Sequence, residues 1–339
     1  MQRRNFLKVA AAAAAGTTLL ASGVQAASNE TKMRLRMQRY WGTETDHLHG
    51  ALAKDLRELT DSSLSITHFR SGALVPNDEM FSAVSKGTLD MAQGYGGYWN
   101  GQIDLGIIES GIPGAWATYA EAQYIWYKKG LLELAREAYA EKNVHFLMPV
   151  FTTPYELLTK KPVNSLEDLK SMKIRATATM AGVLSQFGVP TTYVPVEEIY
   201  VSLSTGVIDG VIYGSTNEYK NLKLHEVAKY YTRMKLTDPG SVDNIIINMD
   251  RWKAMSKRQQ VALELSCKKM AYDLYNWGTA GTYDVQSEDI FKIGELTAED
   301  SKLLTQAAIK TWQTEAEKSA RNKKAIAILT DVAKSMGRI

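Results

Sequence analysis

Apolar and polar positions along this chain alternate between two periods. Met33-Arg34-Leu35-Arg36-Met37-Gln38-Arg39 places apolar side chains at every second position, the signature of a half-buried strand that ends at Tyr40-Trp41-Gly42. A three-to-four-residue period then predicts a helix from about Asp46 to Leu59, and Leu64 to Phe69 returns to strand character. Further strands are predicted at His145 to Val150, Lys173 to Ala176 and Ile245 to Asn248. Helix starts are marked by capping boxes: Ser165 with Asp168 before a single turn, and Ser256 with Gln259 before a long helix to about Trp277, with helical pattern resuming toward Phe291. Thr297 and Asp300 cap an amphipathic, charge-laced end that runs to Met336. Strands alternating with helices predict an α/β fold built on doubly wound sheets.

One pattern occurs twice. Glu79-Met80-Phe81-Ser82-Ala83-Val84-Ser85-Lys86-Gly87-Thr88-Leu89-Asp90 matches Glu198-Ile199-Tyr200-Val201-Ser202-Leu203-Ser204-Thr205-Gly206-Val207-Ile208-Asp209 at one constant offset, pairing Glu79 with Glu198, Ser85 with Ser204, Gly87 with Gly206 and Asp90 with Asp209. Each copy reads as an amphipathic helix, a glycine placed where φ can turn positive, and a strand. The strands then run into aromatic, glycine-rich turns, Tyr95-Gly96-Gly97-Tyr98-Trp99 and Tyr213-Gly214. Two such units predict two similar lobes facing each other across a cleft, with Phe151-Thr152-Thr153-Pro154-Tyr155 as the crossing between them and Asp238-Pro239-Gly240-Ser241 as a turn leading back.

Charge changes the picture mainly at the N-terminus. Arg3-Arg4-Asn5-Phe6-Leu7-Lys8, an alanine-rich apolar run and a small-residue site near Val24-Gln25-Ala26 have the layout of an export signal over residues 1–26, and the paired arginines suit the twin-arginine route as well as ordinary secretion. Without that segment the 40 basic residues fall to 37 against 37 acidic ones, so the formal charge is zero. A neutral chain lacks the clustered positive face that nucleic acid requires. The roughly 310 residues that remain suit two lobes rather than one core. The single cysteine, Cys267, lies in a helical apolar pattern and reads as a small core residue.

Catalysis finds little to work with. There is no G-x-S-x-G elbow, no Walker loop and no C-x-x-C, and His225-Glu226 has Lys229 where a zinc helix would need its second histidine. His47 and His49, two apart on a helix, point to different faces and read as polar first-turn residues rather than metal ligands. Arg175 is the candidate for binding. It ends the short strand Lys173 to Ala176, and strand ends in an open α/β sheet face the ligand crevice. A guanidinium there offers a fork of donors that matches a carboxylate or a phosphate. Tyr95, Tyr98 and Trp99 lie in a turn rather than on a periodic face, which makes them candidate pocket walls.

Arg175 in its Lys-Ile-Arg-Ala context, the Gly-x-x-Asp strand starts, Ser71-Gly72 after a strand and the export signal together resemble a substrate-binding protein of a TRAP (tripartite ATP-independent periplasmic) transporter, of the DctP-like type. The resemblance implies a type II-like periplasmic binding protein whose lobes each carry a mixed sheet flanked by helices, with a long bracing helix. Lobe I would hold 33–151 and about 241–275, and lobe II with the C-terminal helices 152–240 and about 276–339. It implies a soluble periplasmic receptor, not an enzyme, that closes over a small organic acid and delivers it to TRAP permease membrane subunits. The same fold would also suit an ABC-type or sensor-associated receptor. Relatives line the cleft with a residue twenty before the arginine, here Tyr155, and with residues just after the second Gly-x-x-Asp strand, here Tyr213 and Asn217. Trp41 and Phe151 at the strand ends complete the expected set. A glutamate that helps some relatives hold a metal is replaced by the Tyr213-Gly214 turn, so neither metal nor cofactor is expected, and phenolic walls suit one carboxylate on an apolar body. A monomer is expected, with a dimer or permease contact as the alternative for the C-terminal helix.

Overall fold

The computed structural model describes residues 30–236 and 240–339; the export signal read at 1–26 and the Asp238-Pro239 part of the predicted turn lie outside the described residues. Eleven strands are found among them. β1 (Met33–Arg39), β2 (Leu64–Phe69), β3 (Met91–Gly94) and β4 (Val144–Phe151) precede β5 (Leu157–Thr159), β6 (Ile174–Arg175), β7 (Thr191–Thr192), β8 (Gly210–Ile212) and β9 (Tyr230–Arg233), and β10 (Val242–Asn248) and β11 (Lys292–Glu295) follow. They make two sheets, β2-β1-β3-β10-β4 and β11-β9-β5-β8-β6-β7. The sheets have one topology. β1 lies between parallel neighbours β2 and β3 as β6 lies between β7 and β8, and β10 and β5 are inserted antiparallel beside β3 and β8. The chain crosses out of the first sheet after β4 and returns after β9, and each crossing enters the other sheet at that inserted strand. The fold is thus two-lobed α/β with mixed sheets.

The repeat seen in the sequence has a mechanical basis. Gly87 and Gly206 have φ of 74° and 80°, which only glycine adopts without strain, and both turn the chain from helix toward strand. The aspartates that follow do the same work in each lobe. Asp90 accepts the backbone N–H of Arg36 at 2.8 Å and Asp209 that of Lys173 at 2.9 Å, tying the entry of one parallel strand to the next. Met37 opposite Met91 and Ile174 opposite Gly210 are the corresponding register pairs.

Two helices differ from expectation. The bracing helix spans Lys257–Ser287 without a break, about ten residues beyond Trp277, because Gly278 and Gly281 let Thr153 and Asn217 pack directly on its backbone. Tertiary packing there outweighs the poor helix propensity of glycine. The C-terminal pattern is two helices, Ala298–Glu317 and Ala320–Ser335, because Ser319 caps the second by accepting from Asn322. The first lies against Ala178–Leu184 of the second lobe. The second lies on the first lobe, where Asn322 donates to Asp104 O at 2.9 Å and Arg321 pairs with Asp104. Cys267 is buried on the bracing helix, and burial pushes its thiol up to about 12, consistent with packing rather than reactivity.

Candidate functional site

The carboxyl ends of β1, β3, β6 and β8 meet at the seam between the lobes. Arg175, the last residue of β6, is 1% exposed. Its Nε donates to Val194 O at 2.9 Å and its Nη1 to Ile212 O at 3.0 Å, so two carbonyls of its own lobe fix the plane of the guanidinium. The third nitrogen, Nη2, is buried and has no partner among the described residues. No carboxylate pairs with it among those residues. The rings of Tyr193 and Tyr213 stand 5.1 Å and 5.5 Å from its carbon, supplying cation–π contact in place of a counter-ion.

Aromatic side chains from both lobes enclose this group. Tyr213 meets Trp41 edge-on at 5.9 Å and Tyr155 at 6.1 Å, Tyr98 meets Tyr193 at 5.5 Å, and Tyr95 and Tyr40 flank Tyr98. Three hydrogen bonds cross the seam here: Tyr40 OH with Tyr155 OH at 3.0 Å, Tyr95 OH with Thr179 Oγ1 at 2.8 Å, and Tyr213 OH to Glu44 Oε1 at 3.5 Å. Burial holds the phenols of Tyr40, Tyr98, Tyr155 and Tyr213 well above their ordinary pKa, so they act as neutral donors and acceptors.

Two buried carboxyl groups stand on the first-lobe side. Asp243 of β10 accepts from Tyr40 OH and Trp41 Nε1, both at 2.8 Å, and from Gln93 Nε2 at 3.4 Å, yet burial still raises its pKa to about 7. Glu44, in the turn Thr43–Thr45 after β1, accepts the Gly42 N–H at 2.9 Å through Oε1, while Oε2 is buried without a partner. Burial raises its pKa as well.

The expected residues divide into two groups. Arg175, Tyr155, Tyr213, Trp41, Tyr95 and Tyr98 come together around the seam. Trp99 does not: it turns into the first-lobe core, where it stacks on Phe81 and donates to Tyr139 OH at 2.7 Å, in space left by Gly94, whose Cβ would lie 2.2 Å from the indole. Phe151 packs edge-on against Tyr119, which stacks on Tyr275 of the bracing helix. Asn217 also faces that helix, with Nδ2 3.4 Å from Trp277 O. His49, in the first turn of its helix, is buried between Thr45 O and Gln93 Oε1, and burial lowers its pKa to about 4. Tyr40, Glu44, Thr179, Tyr193 and Asp243 also stand at this seam, although the sequence pattern does not single them out. A lone acid in the apolar run Val242 to Ile247 was the available signal for Asp243.

A cavity of about 390 Å³ opens at the seam beside Tyr193, lined by Asp78, Gly97, Tyr98, Ala176 and Thr177. A groove of about 400 Å³ lies elsewhere, between the crossing segment at Thr153–Pro154 and the bracing helix at Tyr275 and Tyr283. The first adjoins the buried guanidinium; in the second, Arg233 and Lys235 are already paired with Glu295. Among the described residues no three of His, Cys, Asp and Glu are grouped to hold a metal ion.

Residues 42–322 match the family described as bacterial extracellular solute-binding protein, family 7 (DctP). Over 271 residues, 77% of this chain and 73% of the other, the sequence is 30% identical to the monocarboxylate 2-oxoacid-binding periplasmic protein of Nostoc sp.. Among solved structures, a TRAP periplasmic solute-binding protein from Chromohalobacter salexigens with bound (S)-(+)-2-amino-1-propanol superposes with a TM-score of 0.85 at 22% identity, covering 91% of this chain and 97% of that one. Another from Colwellia psychrerythraea, with bound calcium and pyruvate, gives 0.81 at 22% identity over 90% and 95%. At such identities the likeness to solved structures is one of fold.

Proposed function

Because the chain belongs to family 7 of the bacterial extracellular solute-binding proteins, a family of receptors rather than enzymes, we propose that it is the periplasmic receptor of a TRAP transporter, closing over a small organic acid and delivering it to the membrane permease. One observation carries the site assignment. A guanidinium with two nitrogens spent on fixed carbonyls and a third left unpartnered at the lobe seam is an anion site in waiting. The unpartnered N–H is costly where it stands, and a carboxylate would satisfy it. The rings of Tyr155, Tyr213, Trp41, Tyr95, Tyr98 and Tyr193 would cover the remainder of the ligand. Names of relatives support the acid: one is described as binding monocarboxylate 2-oxoacids and another was solved with pyruvate.

Closure follows from geometry. Arg175 belongs to the second lobe and Tyr40, Trp41 and Asp243 to the first, so only the closed form makes both sets of contacts, and the ligand shifts the population by that difference. Arg175→Ala is expected to weaken binding of the cognate acid by roughly 2–5 kcal/mol, measured by titration calorimetry on the purified protein after thermal-shift screening of aliphatic and aromatic acids. Unchanged affinity in a variant that melts normally would remove Arg175 from the site.

A further inference from the structure

Resting on Arg175 as the carboxylate site, we propose that the ligand is a zwitterion and that Glu44 is the acceptor for its ammonium group, so that the receptor's substrates are small amino acids or related amino-carboxylates. Glu44 is 8% exposed, sits in the turn that carries β1 into the seam, and has one carboxylate oxygen without a partner. Arg175 has one nitrogen in the same condition. A single tyrosine links them: the face of Tyr213 meets the guanidinium at 5.5 Å, and its hydroxyl donates to Glu44 Oε1 at 3.5 Å. An orphaned acceptor and an orphaned donor thus flank one ring, contributed by opposite lobes.

The charges nearby leave Glu44 Oε2 without a hydrogen bond. Arg39 donates through Nη2 to Gly42 O and Asp46, which is shared with Arg70; Arg39 Nε and Nη1 are buried without a partner among the described residues, so its charge acts on Glu44 without bonding it. Asp243 is no rival acceptor, because its two oxygens already take donors from Tyr40, Trp41 and Gln93. A ligand that carries a carboxylate and no donor group would leave Glu44 Oε2 buried without a hydrogen bond. An ammonium instead gives Glu44 Oε2 a charge-assisted bond beside the rings of Trp41 and Tyr213, which meet edge-on with their centroids 5.9 Å apart. Burial raises the Glu44 pKa, and an ammonium bonded to the carboxylate would favour its charged form.

The test uses acids matched in carbon skeleton: pyruvate with L-alanine, 2-oxoisovalerate with L-valine, and phenylpyruvate with L-phenylalanine. Affinities are measured on the mature protein, on Glu44→Gln and on Arg175→Ala. The inference expects at least one amino acid to bind roughly 10- to 100-fold tighter than its oxo partner, a preference that Glu44→Gln abolishes while Arg175→Ala weakens both members. Equal or better binding of the oxo acids by the wild-type protein overturns the ammonium site and leaves the carboxylate reading standing, and that comparison decides even if Glu44→Gln does not fold. A preference that survives Glu44→Gln also overturns it. Binding indifferent to Arg175→Ala, or no binding by any pair, overturns both readings.

Discussion

Tyr193 is 45% exposed, yet its ring lies 5.1 Å from the buried guanidinium of Arg175, between that charge and the seam cavity. Because so much of the ring already faces solvent, Tyr193→Ala should leave the melting temperature nearly unchanged and lower ligand affinity by about 0.5–2 kcal/mol, which calorimetry on the two proteins would resolve. Buried titratable groups set a second expectation. Burial raises Asp243 to about 7 and Glu109 to about 8, so folding takes up protons at these sites and their contribution to stability falls as pH rises from the ordinary carboxylate range to those values. His49 and His145 are lowered to about 4, so they oppose stability as pH falls from 6.5 to that value. The two effects oppose each other below pH 6.5, and above it only the carboxyls act. Melting temperature should therefore vary little between about pH 5 and 6.5 and drop toward pH 8, and Glu109→Gln should flatten the upper limb in melts recorded across that range. Single residues were also where the sequence misled. Trp99 and Tyr98 are neighbours in one turn, and only Gly94, by lacking a Cβ, decides that the indole goes into the core. Glu44 and Tyr193 carry no periodic mark, and each acquires meaning only from groups on other segments.

Helices and strands were more legible, because their signals are local. The Ser165 and Ser256 capping boxes, the two positive-φ glycines and the two strand-opening aspartates all appear as the residue types require. Helix ends were less so, since they depend on what packs against them. Gly278 stands within the bracing helix where a Cβ would lie 2.7 Å from Thr153 Cγ2, and Thr153 is itself held by its bond to Glu218 at 3.0 Å. Gly50, within the helix Asp46–Leu59, has nothing within 4 Å of such a Cβ. Two glycines in helices should then respond with opposite signs. Gly50→Ala is expected to raise stability by about 0.5–1 kcal/mol through helix propensity alone. Gly278→Val is expected to lower it by about 1–3 kcal/mol by forcing Thr153 and the crossing segment away. Denaturant unfolding of the two variants checks both, and a stabilising Gly278→Val would mean that the helix does not press on the crossing.

At the scale of the whole molecule, the lobes are joined by two crossings that run side by side. Thr152 N donates to Ser241 O at 3.1 Å, and Gly240, at φ 147°, brings its Cα so near that a Cβ would lie 2.0 Å from Thr152 O. A hinge at these crossings would leave the balance between open and closed forms to the bonds that span the seam. At the rim Ser71 Oγ donates to the exposed carboxylate of Glu197 at 2.9 Å, and deeper in, Tyr40 meets Tyr155 and Tyr95 meets Thr179. Each such bond contributes on the order of 1 kcal/mol, so the ligand-free closed form is held weakly and a ligand needs only modest extra contact to settle it. Among the described residues Glu197 bonds to Ser71 and not to Arg175 or the tyrosines around it, which separates the rim contact from ligand recognition. Glu197→Ala should therefore speed ligand release and weaken affinity by roughly 2- to 10-fold, with the melting temperature of the ligand-free protein little changed. Small-angle scattering should show a larger radius of gyration for the ligand-free variant than for the parent, and the two should converge at saturating ligand. Identical scattering without ligand, together with an unchanged release rate, would remove the rim contact from the closing mechanism and leave the buried tyrosine pairs to carry it.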